Sequence, residues 1–87
     1  MAPAKRQTGS TGDSLTPPER HFFAANFKRA RKAAGLTQEA VREKTGFAQS
    51  FISEVETGSS SINLDNAAQL AKLVGVPLWK LLRDPSE

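Results

Sequence analysis

The residues with the most chemical content lie between Thr37 and Gly58, TQEAVREKTGFAQSFISEVETG. At about 100° per residue, Ala48, Phe51, Ile52 and Val55 fall on one side of a helix, and Gln49, Ser50, Ser53 and Glu54 on the other. Solvated helix faces ordinarily carry long Lys and Glu side chains, which serve propensity and solubility. A short, mostly uncharged face of Gln and Ser does neither. Gln pairs in bidentate fashion with adenine and Ser donates or accepts, so this face suits the reading of base edges. The alternative is an anonymous bundle with a polar outer face.

No other constellation competes with it. The chain has no Cys, which removes disulfides, thiolate nucleophiles and zinc sites of the Cys type. Its one His, His21, cannot build a His-based metal site alone, and nothing places an acid and a nucleophile around it. It reads as a solvated residue of the first helix. The glycines are isolated and form no phosphate cradle. The expectation is no catalytic residues, no metal, no cofactor and no enzyme.

The 87 residues hold one small domain, with 12 Lys and Arg against 9 Asp and Glu. The net charge of +3 is modest, but its placement is local: Arg20, Lys28, Arg29, Arg31 and Lys32 cluster with Glu19 as the nearby acid. That suits an anionic partner. No run approaches the ~20 apolar residues of a membrane span and no secretory signal is visible, so a cytoplasmic protein without a membrane partner is expected.

The elements that must position the polar face follow from caps, stops and periodicity. Residues 1–15 read as a flexible tail; Lys5 and Arg6 either form a solvated terminus or an arm reaching along DNA. The domain is expected over residues 16–84, with a short C-terminal tail at 85–87. Thr16 reads as the cap of a first helix over 17–34, with Glu19 reaching back and Phe23, Phe27, Ala30 and Ala34 as its apolar stripe. Thr37 caps a second helix over 38–45. A third follows from about 48 to 56, and Gly58 ends it before the polar loop Ser59-Ser60-Ser61. Asn63 caps a fourth, with Ala67, Leu70, Ala71 and Val74 facing inward. A short fifth helix runs from Pro77 through Leu82. Nothing reads as a strand. The fold expected is an all-α five-helix bundle, in which the second and third helices cross around Gly46 as a helix-turn-helix.

The aromatics Phe22, Phe23, Phe27, Phe47 and Phe51 read as core or core edge. Leu78, Leu81 and Leu82 share a face that caps the core. Trp79 therefore points elsewhere, into an interface or back onto the first helix.

Residues 27–82 resemble the helix-turn-helix domain of phage Cro and repressor proteins and their bacterial, XRE-like relatives. The match runs through Phe27, Ala30, Arg31 and Gly35-Leu36-Thr37-Gln38-Glu39. It continues through Lys44, Gly46, Ser50, Ile52, Ser53, Glu56 and Gly58 to Leu70-Ala71, Leu73 and Gly75-Val76. The resemblance implies a lambda-repressor-like DNA-binding domain with its third helix in the major groove of double-stranded DNA, usually as a homodimer. It places Gln49, Ser50, Ser53 and Glu54 at base edges, and Thr37, Gln38, Thr57, Ser59 and Ser60 at phosphates. Arg31 and Glu56 match a structural ion pair, and Leu78, Trp79 and Leu82 become dimer-interface candidates.

Three departures stand out. Arg42 occupies a position usually held by a small Ala, so it must snorkel outward or pair with Glu39 or Glu43. Thr45 replaces a large aliphatic residue. The loop Ser59-Ser60-Ser61 lacks the cations that relatives often carry, and Glu54 adds negative charge to the reading face. The first reading is a sequence-specific transcriptional regulator, bacterial or phage-encoded, on a near-palindromic operator. The alternative is a protein-interaction module, such as an antitoxin or accessory subunit with weak DNA binding and a protein partner.

Overall fold

The computed structural model describes residues 16–86. Among them lie five helices and no strand: α1 Pro18–Ala33, α2 Gln38–Thr45, α3 Gln49–Thr57, α4 Leu64–Val74 and α5 Leu78–Leu81. The tail expected over residues 1–15, with Lys5 and Arg6, lies outside the described residues. None of these helices is long and apolar enough to cross a membrane.

Each boundary has a local cause. The cap position of α1 falls on Pro17 rather than Thr16, and it makes no side-chain cap bond. Pro18 opens the helix, where a missing N–H costs nothing because first-turn N–H groups have no intrahelical partner. At its other end Ala34, expected in the apolar stripe, is instead the exposed C-cap. Thr37 caps α2 by accepting the Ala40 N–H at 3.0 Å, and Asn63 caps α4 by accepting that of Asn66 at 2.7 Å. Between α2 and α3 the chain turns at Gly46, whose φ of +80° would crowd a Cβ against the following carbonyl. Thr45 closes this turn: its hydroxyl donates to the Val41 carbonyl at 2.7 Å and accepts the Phe47 N–H at 3.2 Å. An aliphatic residue there could do neither. Ala48, placed on the inward side by its spacing, is the exposed cap of α3.

Phe23 and Phe27 of α1 stack with centroids 5.9 Å apart and anchor a core with Val41, Ile52, Leu70 and Leu81. Phe47 and Phe51 meet edge to face at 5.5 Å on its margin, both half-buried. α1 packs on α3, α4 and α5, whereas α2 packs on α3 and α4 and not on α1. The end of α5 is tied down by Asn26, whose amide donates to the carbonyls of Leu81 at 3.0 Å and Arg83 at 2.8 Å. Those bonds satisfy acceptors that a helix terminus leaves open.

α3 ends at Gly58, with φ +78°, and a Cβ there would lie 2.6 Å from His21 Nδ1. His21 is exposed, as expected, yet its ring is seated on the end of α3. Gly58→Ala should therefore destabilise more than Gly35→Ala in urea unfolding. Both incur the left-handed cost of about 1–2 kcal/mol, but a Cβ at Gly35 meets nothing within 4 Å. Adding His21→Ala to Gly58→Ala should close the gap between the two. Equal losses for the two glycines would show that the ring moves aside freely.

Candidate nucleic-acid interface

α3 buries Ile52 completely and Val55 nearly so, which turns its opposite side outward. Gln49, Ser50, Ser53 and Glu54 are all exposed there, one turn apart in pairs. No hydrogen bond among the described residues occupies their side chains. The four therefore form one face whose donors and acceptors are open to solvent.

The direction of that face is set by a buried ion pair. Arg31 and Glu56 are each only 7% exposed. Arg31 Nε donates to Glu56 Oε2 at 2.5 Å and Nη2 to Oε1 at 3.0 Å, a two-point pairing of planar groups. Arg31 Nη1 donates to the Leu36 carbonyl at 2.7 Å, in the link between α1 and α2. Gln38 Nε2 donates to the same Glu56 Oε1 at 3.1 Å. Three helices thus meet at one carboxylate. The Arg31–Glu56 pairing was legible in the sequence, and the Gln38 arm of the network was not.

At the start of α2 the Thr37 oxygen accepts from Ala40, leaving its hydroxyl proton for another acceptor. The N–H groups of Gln38 and Glu39 have no partner within the helix, so this end carries partial positive charge suited to an anion. Glu39 would oppose that charge, but Arg42 forms an exposed ion pair with it. The Arg42 guanidinium holds the Glu39 carboxyl below the usual carboxylate range, and Glu39 in turn raises the Arg42 pKa. The outward pairing expected of Arg42 is thereby met by Glu39, and it cancels a charge beside the α2 terminus.

The far end of α3 is lined by hydroxyls. Thr57 Oγ1 donates to the Glu54 carbonyl at 3.0 Å and lies 2.9 Å from Ser59 Oγ, while Ser60 is half-buried and donates to the Ser61 carbonyl at 3.3 Å. These side chains close the helix end, and their oxygens remain acceptors. Residues 45–71 contain no Lys or Arg at all, and carry Glu54, Glu56 and Asp65. With Glu56 neutralised by Arg31, this segment is slightly acidic.

On α5, Leu81 is buried, Leu78 and Leu82 pack half-buried on the core, and Trp79 is 60% exposed with Lys80 Nζ 5.6 Å from its ring centroid. Trp79 does not fold back on α1. Of the three interface candidates it alone offers a large apolar surface.

A pair of short helices joined through Gly46, Phe47 and Ala48, with a polar outer face on the second, is the architecture of a helix-turn-helix protein. A helix-turn-helix family matches residues 27–78. The uncharacterized HTH-type transcriptional regulator y4dJ of Sinorhizobium fredii is 34% identical over 68 residues, spanning 78% of this chain and 88% of its own. The hypothetical transcription factor NHTF from Neisseria superposes with a TM-score of 0.72 at 30% identity, over 82% of this chain and 85% of its own. The restriction-modification controller protein C.AhdI from Aeromonas hydrophila gives 0.67 at 26%, over 75% and 98%. The chain belongs to the helix-turn-helix family of Cro and phage-repressor type, and is a DNA-binding protein like a transcriptional regulator.

Removing one member of the buried pair leaves the other charged and unpaired, which costs about 3–5 kcal/mol in comparable sites. Glu56→Ala should approach that loss in urea unfolding. The double change Arg31→Met, Glu56→Leu should cost clearly less, because no charge is left behind. A double variant as unstable as the single would mean that packing, not charge burial, sets the cost.

Proposed function

We propose that the protein is a sequence-specific transcriptional regulator that binds a near-palindromic operator as a homodimer, with α3 of each subunit in the major groove. The observation that supports this best is the outer face of α3, with Gln49, Ser50, Ser53 and Glu54 exposed and unbonded. In this reading they meet base edges: Gln49 suits adenine, the serines either base type, and Glu54 accepts from cytosine N4. Thr37 and Gln38 bind a phosphate at the α2 terminus. Thr57, Ser59 and Ser60 lie along the backbone at the other end of α3. Trp79 leads the dimer contact, flanked by Leu78 and Leu82, and half-sites fall ~10 base pairs apart.

A second reading, a module that binds a protein partner, draws support from the lack of cations over residues 45–71. Selection from randomised duplex DNA near physiological salt separates the two. A two-fold symmetric motif is the outcome expected of the regulator. Absence of any enriched motif from folded protein would favour the module.

Glu54→Gln should raise affinity for random DNA, by removing a negative charge from the reading face, and relax preference at one base pair per half-site. Unchanged affinity and preference would place Glu54 away from the DNA. Trp79→Ala should weaken dimerisation in sedimentation equilibrium by about tenfold or more, the scale of a Trp hot spot. An unchanged dimer constant would put the interface elsewhere.

A further inference from the structure

In the DNA-binding mode proposed above, the reading unit meets a polyanion with no cation of its own between residues 45 and 71. Hydroxyls, amides and backbone N–H groups can hold phosphates in register, but the salt-dependent share of DNA affinity comes from Lys and Arg that neutralise them. Arg42 is already committed to Glu39, and Arg31 to Glu56. Within the helix-turn-helix only Lys44, in the last turn of α2, is left without an ion pair among the described residues, so further cations have to come from a neighbouring element.

α1 carries them on one ridge. Arg20, Ala24 and Lys28 follow one another at four-residue spacing, and Arg31 continues the line. Two independent contacts show where this ridge lies. Arg31 reaches Glu56 in the last turn of α3, and the His21 ring rests on Gly58 just beyond it. Ala24 between them is buried. Arg20, at the N-terminal end of the ridge, lines the same groove as Ser61 of the loop that follows α3. Arg20 and Lys28 thus lie on α1 close in sequence to His21 and Arg31, the two residues that meet the end of α3. Lys28 is exposed and Arg20 half-exposed, and neither forms an ion pair among the described residues.

We propose that Arg20 and Lys28 are DNA-backbone contacts, each neutralising a phosphate of the strand that passes the end of α3. α1 would then supply the charge that the Ser59-Ser60-Ser61 loop lacks. Arg20 lies outside the span of residues 27–78 matched by the family, whereas Lys28 lies within it. Arg29 provides the internal comparison. It sits about 140° around α1 from the centre of the ridge and borders a recess with Lys80 and Val76, away from α3.

The proposal rests on the DNA-binding reading, and the salt dependence of binding tests it separately. Full-length wild type, Arg20→Gln, Lys28→Gln and Arg29→Gln, each shown to be folded by circular dichroism, are titrated with one duplex over a range of salt concentrations. The duplex is the selected motif, with random duplex as a second probe. The slope of log K against log salt should become shallower by about 0.9 for Arg20→Gln and for Lys28→Gln, and stay unchanged for Arg29→Gln. Both ridge variants should weaken binding to the two duplexes by the same factor, because phosphate contacts carry no sequence information. Wild-type slopes in both ridge variants would overturn the proposal while leaving DNA binding intact. An equal change in Arg29→Gln would also overturn it, since the effect would then be net charge and not position. A wild-type protein that binds neither duplex at any salt would defeat the DNA-binding reading itself.

Discussion

One carboxylate organises this domain. Glu56 sits in the last turn of α3, accepts two bonds from Arg31 of α1, and accepts a third from Gln38 at the start of α2. α1 and α2 do not pack on each other, so the relation between them passes through this network and through their shared neighbours α3 and α4. Arg31 reinforces it by bonding the Leu36 carbonyl in the connecting link. A buried ion pair is weak as a source of stability, because desolvation offsets most of its attraction. What it supplies is direction. Hydrogen bonds of this kind hold only over a narrow range of distance and angle, whereas apolar contacts tolerate sliding.

The core is too small to impose that direction unaided. A domain of this size buries a limited share of its apolar surface, and much of what it buries comes from a few side chains, Phe23, Phe27, Ile52 and Leu70 among them. Its helix ends are accordingly held by specific polar bonds. Thr37 and Asn63 cap two helices, Thr45 closes the turn before α3, and Asn26 fastens the end of α5 to α1. Each bond fixes an end that the core would leave free to slide or fray.

The parts of this arrangement legible in the sequence are those governed by local rules. Glycines in left-handed positions, the Thr37 and Asn63 caps and the split of α3 between Gln49, Ser50, Ser53 and Glu54 outside and Ile52 and Val55 inside depend on residues a few positions apart, and these appear where the spacing puts them. Arg42 was readable for a different reason: a guanidinium cannot be buried unpaired, and an acid three residues earlier was available. Pro17 displacing Thr16 at the first cap turned on a competition between two adjacent starts, which periodicity does not resolve. Ala48 went to the exposed side because a cap residue lies outside the helical wheel that assigned it inward. The seating of His21 on Gly58 and the bond from Gln38 to Glu56 depend on how whole helices pack, and no local pattern encodes them.

The same distinction bears on how the domain manages charge. Its outer α3 face is neutral apart from Glu54, while cations cluster on α1. For a protein that must choose among many sequences, a strongly basic reading helix would bind every phosphate backbone nearly alike. Specificity is a difference between affinities, so charge that raises both sides equally contributes nothing to it. In the proposed reading, separating the two tasks would let base-edge contacts on α3 discriminate while cations elsewhere set overall affinity and its dependence on salt. That separation works only if the distance between the two surfaces is fixed, since a cation that drifts a few ångströms loses its phosphate. The element that fixes it is the bridge from Arg31 to Glu56. The arginine on the basic helix that is least available to solvent would therefore be the one that gives the half-exposed Arg20 and the exposed Lys28 of the same helix a defined position relative to α3.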